Sequence, residues 1–186
     1  MNVGTGAAAA GAATGAATAA SAEVIKARLF ITRYSELRMP TLTVSSTQLR
    51  QAFLVKHGEA DLSTHFFDRQ YAIMADSGVA GFMASILDQV RHIIGPWKTN
   101  SNDCDKYARL AQTLALIAHA KQAKDSVGLA VAVICYLRGG TERHAIVMTV
   151  SSPSKGSLRF RFWDGETGAE YQLTQAEKHS IYKALF

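Results

Sequence analysis

Apolar positions along the chain fall first at helical spacing and later in continuous or alternating runs, with the switch just after Ala123. Leu49, Ala52, Phe53 and Val55 make one apolar side, with Ser45 or Ser46 as cap and Gly58 as stop, which predicts a helix. Phe82, Met83, Ile86, Val90, Ile93 and Ile94 recur at three- and four-residue steps. They predict a second helix from about Val79 to Ile94, capped by Ser77 and stopped by Gly95-Pro96. A third begins at Asp103 or Cys104 and runs to about Ala123, with Tyr107, Ala108, Ala111, Leu114, Ala115 and Ala118 along one stripe. Its small residues imply close packing on a sheet.

The later segments read as strands. Val127 to Leu137 is a continuous apolar run rich in Val and Ile, as a buried central strand would be. Gly139-Gly140 punctuates it, His144 to Val150 forms the next strand, and Ser151 to Ser157 is turn chemistry. Leu158 to Asp164 alternates apolar and basic, the pattern of a half-exposed strand. Thr174 and Glu177 form a capping box that opens a last helix to about Leu185. Residues 23–44 mix both signals: Glu23 to Tyr34 suits a helix or a strand, Pro40 breaks it, and Leu42-Thr43-Val44 looks extended. Residues 59–78 read mostly as loop with aromatic anchors Phe66, Phe67 and Tyr71. Helices first and an antiparallel sheet after them define an α+β fold, distinct from a Rossmann or P-loop alternation.

Composition changes this picture at one end. Residues 1–22 hold eleven Ala, four Gly and no charge. Such chain buries too little area to offset its ordering entropy, so it reads as a low-complexity arm, flexible or ordered only against a partner. The expected organisation is therefore an arm over 1–22 and one α+β domain over 23–186. A net charge of +5 comes from scattered basic residues without a run of five or six, so nucleic acid is not the expected ligand. No stretch suits a membrane span. The arm lacks the basic start and Leu/Val-rich centre of a secretory signal, which points to the cytoplasm. Two cysteines and no metal spacing among the Cys and His residues argue against a disulfide framework, a structural metal or a cofactor.

The same two cysteines keep nucleophilic chemistry open. Cys104 follows a polar loop and falls in the first turn of the third helix, where free N–H groups and the dipole favour a thiolate; Asp103 and Asp105 oppose that shift. The bland alternative is a buried structural thiol. His144 starts a strand and shares its face with Ile146, Met148 and Val150. If Val150 lies opposite Leu158, His144 falls opposite Asp164 with Cβ atoms about 4.5–5.5 Å apart, close enough for the carboxylate to orient the ring. Glu166 substitutes if a bulge shifts the turn, and Asp164 has the alternative role of a turn former before Gly165. Asn100, Asn102 or the Cys104 backbone N–H would serve as oxyanion donor. Cys135 reads as core packing. His57, His65, His92, His119 and His179 read as surface residues, and Arg159 and Arg161 as the solvated side of a strand.

Three segments carry a resemblance: Asp103-Cys104-Asp105-Lys106-Tyr107-Ala108, then His144-Ala145-Ile146-Val147, then Phe162-Trp163-Asp164-Gly165-Glu166-Thr167-Gly168. Over roughly residues 70–175 the chain resembles the peptidase-like domain of the mushroom agglutinin family and its phage-encoded relatives. The resemblance implies a papain-like core with Cys104 as nucleophile, His144 as general base and Asp164 as orienting acid. The chain departs from it where Asp-Gly-Glu stands in place of a Glu-Pro-Gln-type stretch, and no Gln precedes the Cys. Two functions follow as expectations. One is a cysteine hydrolase acting on peptide or amide bonds, with acyl transfer or deamidation on the same triad inseparable from it. The other is a catalytically silent structural or interaction protein, such as a phage virion component docked through its arm, with a homo-oligomer as one form of assembly.

Overall fold

The computed structural model describes residues 42–58, 63–96, 98, 103–123, 127–154 and 156–186; the Ala/Gly arm and the segment up to residue 41 lie outside them. The described residues belong to one compact unit, Arg38–Phe186.

Strand β1 (Leu42–Ser45) runs into helix α1 (Ser46–His57). The join is a capping box: Ser45 Oγ accepts from Gln48 N, and Gln48 Oε1 accepts from Ser45 N at 2.9 Å. Strands β2 (Ser63–His65) and β3 (Gln70–Ala75) follow, the second with four consecutive buried residues. Local pattern predicts loop over this stretch. The run Tyr71-Ala72-Ile73-Met74 is too short to show a period by itself, and what makes it a strand is pairing with β1 on one side and β6 on the other. Helix α2 (Asp76–Ile94) begins at once, three residues before Val79, and ends at Gly95, whose φ of 76° continues the turn without a side-chain penalty.

Helix α3 (Cys104–Ala120) is N-capped by Asp103. The apolar run after it is two strands rather than one, β4 (Gly128–Leu129) and β5 (Val131–Arg138). Ala130 between them donates to Ala72 O, while its own carbonyl accepts from Val150 N. Strands β6 (Glu142–Ser152), β7 (Arg159–Trp163) and β8 (Glu170–Tyr171) complete an antiparallel meander with β5. The β6–β7 register pairs Val150 with Phe160. That is two residues from the expected pairing with Leu158, a shift that preserves which residues share a face.

The closing segment differs most from expectation. The capping box is present, with Thr174 Oγ1 accepting from Glu177 N, but helix α4 (Gln175–His179) lasts five residues. Strand β9 (Lys183–Leu185) then enters the sheet, antiparallel to β5 and parallel to β2. Edge pairing with a central strand and burial of Ala184 and Phe186 outweigh the weak preference of so short a sequence for helix. The sheet is therefore mixed, with β3 parallel to β4 and β6, and not the antiparallel sheet with a closing C-terminal helix read from the pattern.

One face of this sheet carries Ala132, Ile134 and Tyr136 of β5 and Ile146, Met148 and Val150 of β6, packed with Leu49 and Phe53 of α1. Alternate residues Val131, Val133 and Val147 turn to the opposite face, on which α3 packs. Burying side chains of this size removes about 1.5–3 kcal/mol each of apolar exposure, so both faces are fixed by the hydrophobic effect.

Candidate functional site

Cys104 occupies the first turn of α3, where its helix meets the open end of the meander. Strand β7 leaves β6 after Trp163, opposite Val147, so the beginning of β6 keeps only β5 as neighbour. The backbone N–H of Ala145, next to His144, faces the Cys104 thiol there and favours its ionised form. Burial, joined by the charges of Asp103 and Asp105, wins, and the thiol is held above its ordinary range. The balance that composition left open thus falls on the side of a protonated thiol. Cys135 is the nearest second thiol in electrostatic terms; burial raises it too, against Lys183 and Arg109. It is half-buried rather than sealed in the core.

The turn after β7 is locked onto the start of α3. Gly165 is buried against Tyr107, and a Cβ at residue 165 would sit 2.6 Å from Tyr107 Cβ. Arg91 of α2 donates to Thr167 O at 2.9 Å, and Tyr107 donates its hydroxyl hydrogen to Gly95 O. Asp164 therefore has a fixed place. Its Oδ1 accepts from the N–H groups of Glu166 and Thr167, both at 2.9 Å, which is the turn-forming role. Its Oδ2 faces inward, 3.9 Å from His144 Nε2 and 3.3 Å from Arg138 Nη2. The exposed Glu166 gives its N–H to that turn.

His144 is partly buried, and the group nearest its ring is one that local pattern does not mark. Arg138 Nη2 donates to His144 Nε2 at 2.5 Å. A guanidinium can only donate, so Nε2 presents its lone pair and the proton of the neutral ring is assigned to Nδ1. Burial first, and the Arg138 charge second, pull the His144 pKa below its ordinary value against the opposing pull of Asp164. Arg138 is the last residue of β5 and lies two positions past Tyr136, which the ladder places opposite His144. Its signal in sequence is a lone Arg before a Gly-Gly turn, which carries no chemistry without the register.

The structure thus gathers Asp164, His144 and Arg138 into one hydrogen-bonded group and sets the Cys104 thiol against the adjacent peptide. No hydrogen bond joins Cys104 to His144 among the described residues. Asn100 and Asn102, the named oxyanion donors, lie outside the described residues. Trp163 donates its indole N–H to Thr149 Oγ1 inside the core at 2.9 Å. Arg159 and Arg161 are not simply solvated. Arg159 pairs with Asp76 at 2.8 Å, and Arg161 makes a two-pronged contact with Glu170. His57 and His119 are buried, contrary to their reading as surface residues. Among the described residues no group of three or more His, Cys, Asp or Glu could hold a metal ion, and no helix is long and apolar enough to cross a membrane.

No family model matches the chain, and no curated protein does. Solved structures do. A PSL1a–E64 complex shares 15% identity with a TM-score of 0.63, over 78% of this chain and 50% of that one. A Polyporus squamosus lectin bound to a human-type influenza-binding epitope, Neu5Aca2-6Galb1-4GlcNAc, shares 16% identity with a TM-score of 0.59 over the same proportions. The chain therefore has a fold found in a mushroom lectin and spans about half the length of those chains. The matched part must itself contain helices packed on a mixed sheet, because that is what the described residues are. The Polyporus squamosus lectin stands on the mushroom side of the resemblance.

Proposed function

We propose that this chain is a binding or assembly module that keeps a helix-on-sheet, papain-like scaffold without turnover. One observation carries the reading: Arg138, not the Cys104 thiol, is hydrogen-bonded to the imidazole of His144. A nucleophilic thiol needs a base within hydrogen-bond reach and a lowered pKa. Here the thiol is raised, the ring is held neutral, and a cation occupies its accepting nitrogen. The same Arg138–Asp164–His144 group ties β5, β6 and the β7–β8 turn together, a structural use that requires no substrate. The partner expected from sequence is a protein or peptide surface, reached in part through the arm. The Neu5Ac-containing glycan bound by the second neighbour makes a sialylated oligosaccharide the other ligand worth offering.

A cysteine hydrolase is the second reading, favoured by the placement of Cys104 at a helix start beside the His144–Ala145 peptide and by the E64 complex of one neighbour. In that reading the Cys104 sulfur attacks a carbonyl carbon, His144 carries the thiol proton to the leaving amine, and water cleaves the resulting thioester. Asp164 would then orient the ring.

Iodoacetamide labelling of the full chain separates the two, with Cys104 compared to Cys135 from about pH 5 to about pH 9 and again in His144→Ala. The binding-module reading expects Cys104 to react no faster than Cys135 near neutral pH, to be indifferent to His144→Ala, and to form no adduct with E64, an epoxide that alkylates reactive thiols. Fast neutral-pH labelling of Cys104 that slows in His144→Ala overturns it in favour of the hydrolase.

A further inference from the structure

A buried histidine at the end of α1 has no use in either reading. His57 is the last residue of α1 and only 7% exposed, yet neither ring nitrogen has a hydrogen-bond partner. Phe160 and Phe162 stand edge-on to the ring at 5.6 and 5.7 Å. Their faces hold its plane but are weak acceptors at best. An unpartnered buried donor or acceptor costs about 1–3 kcal/mol, so such a group points to something that satisfies it.

His57 lines a cavity of about 280 Å³ between the end of α1, strands β7 and β8, and α4. That is just under the usual size of small-molecule pockets. Two cations line it with no acid spent on them. Lys178 has no side-chain ion pair or hydrogen bond among the described residues. Lys56 gives its ammonium hydrogen to Leu158 O at 2.7 Å and lies 5.4 Å from the Phe160 ring centre. The acids nearby are committed. Glu170 is held by Arg161, Asp76 by Arg159 and Arg161, and buried Glu177 accepts from Thr174 and Tyr171. The electrostatic effect on His57 is visible: burial, then Lys178, Lys56 and His179, drive its pKa down to about 4.

We infer that this cavity is an oxyanion site: His57 and Lys178, with Lys56 at one wall, take the carboxylate or phosphate of a small ligand, and Phe160, Phe162 and Tyr171 cover its flat apolar part. Both ring nitrogens are closed to solvent, so the bound anion accepts the His57 N–H once the ring turns over about its Cβ–Cγ bond, and it offsets the two lysines. It therefore draws a proton onto the second ring nitrogen as the pH falls.

The test uses the full chain labelled at histidine and follows the His57 ring resonances by NMR during titration with sodium phosphate, sodium benzoate or sodium chloride at constant ionic strength. The expected result is a saturable shift with phosphate or benzoate and none with chloride. The His57 titration midpoint should rise on saturation, and binding should weaken about tenfold in Lys178→Ala and in Lys178→Gln. Benzoate alone saturating identifies a carboxylate ligand with an aromatic body; phosphate alone identifies a phosphate. A shift that never saturates, an equal shift with chloride, or unchanged affinity in both Lys178 variants overturns the proposal. Cys104 chemistry does not enter this readout, so its outcome is distinguishable from that of the labelling experiment.

Discussion

His57, buried against β7, and His144, partly buried on β6, are both withdrawn from solvent, and they are withdrawn in opposite ways. His144 has a cation and an anion within one hydrogen-bonded group, so its lone pair and position are fixed by Arg138 and Asp164. His57 has aromatic walls and a cavity, and nothing bonds its nitrogens. Burial keeps both rings neutral and pulls both pKa values down. The lesson is that a lowered histidine pKa does not by itself mark a catalytic base. At His144 the polar network is closed, which suits structure. At His57 it is open, which suits a ligand.

The largest expected effect breaks the symmetry between them through pH. The unfolded chain takes up a proton at His57 near pH 6.5, whereas the folded chain resists until about pH 4. Between these values the unfolded state binds more protons, so stability is intact above about pH 6.5 and falls as the pH drops toward about 4. The loss amounts to about 3 kcal/mol at 1.36 kcal/mol per pH unit. Urea unfolding of His57→Leu at several pH values should show most of that slope removed, leaving a residue of the same sign from His144. A slope unchanged in His57→Leu assigns it elsewhere.

Gly165→Ala probes the closed side. A methyl there meets Tyr107 Cβ, so the turn holding Asp164 must move from α3, at a cost of about 1–3 kcal/mol. Thermal unfolding reads the loss, and Gly156→Ala on the exposed β6–β7 connection separates backbone strain at a positive φ from packing. Asp164→Ala comes next: it strips the acceptor from the N–H groups of Glu166 and Thr167 and is expected to destabilise by about 1–2 kcal/mol, largely retained in Asp164→Asn. The smallest effect is Arg138→Met. Removing the cation should move the His144 titration upward toward its ordinary value, as followed by NMR, while His57 stays where it is.

Part of this was legible in the chain. Ser45 before Gln48 and Thr174 before Glu177 are start signals that act within four residues, and each caps a helix here, while Asp103 takes the N-cap position of α3 without a side-chain cap bond. The runs of β5 and β6 are apolar enough to define buried strands without knowledge of their neighbours. The two-residue period also put His144 and Asp164 on one face even though the assumed register was off by two. That placement does not extend to a thiol–imidazole contact, which the described residues lack.

What local pattern could not reach depends on partners distant in sequence. Lys183–Leu185 is strand because β5 offers an unpaired edge, not because Lys-Ala-Leu prefers it. Tyr71–Met74 is buried because β1 and β6 flank it. Arg138 becomes the neighbour of His144 through a hairpin, and His57 becomes a walled, unpartnered ring through Phe160 and Phe162, roughly a hundred residues away in the chain. Hydrogen bonding along the backbone is short-ranged and written in adjacent residues, so the sequence determined where α1 and α4 start and that β5 and β6 are buried strands. Burial and charge pairing are set by whatever the folded chain brings near, so the tertiary structure alone decided which histidine is satisfied and which is left open.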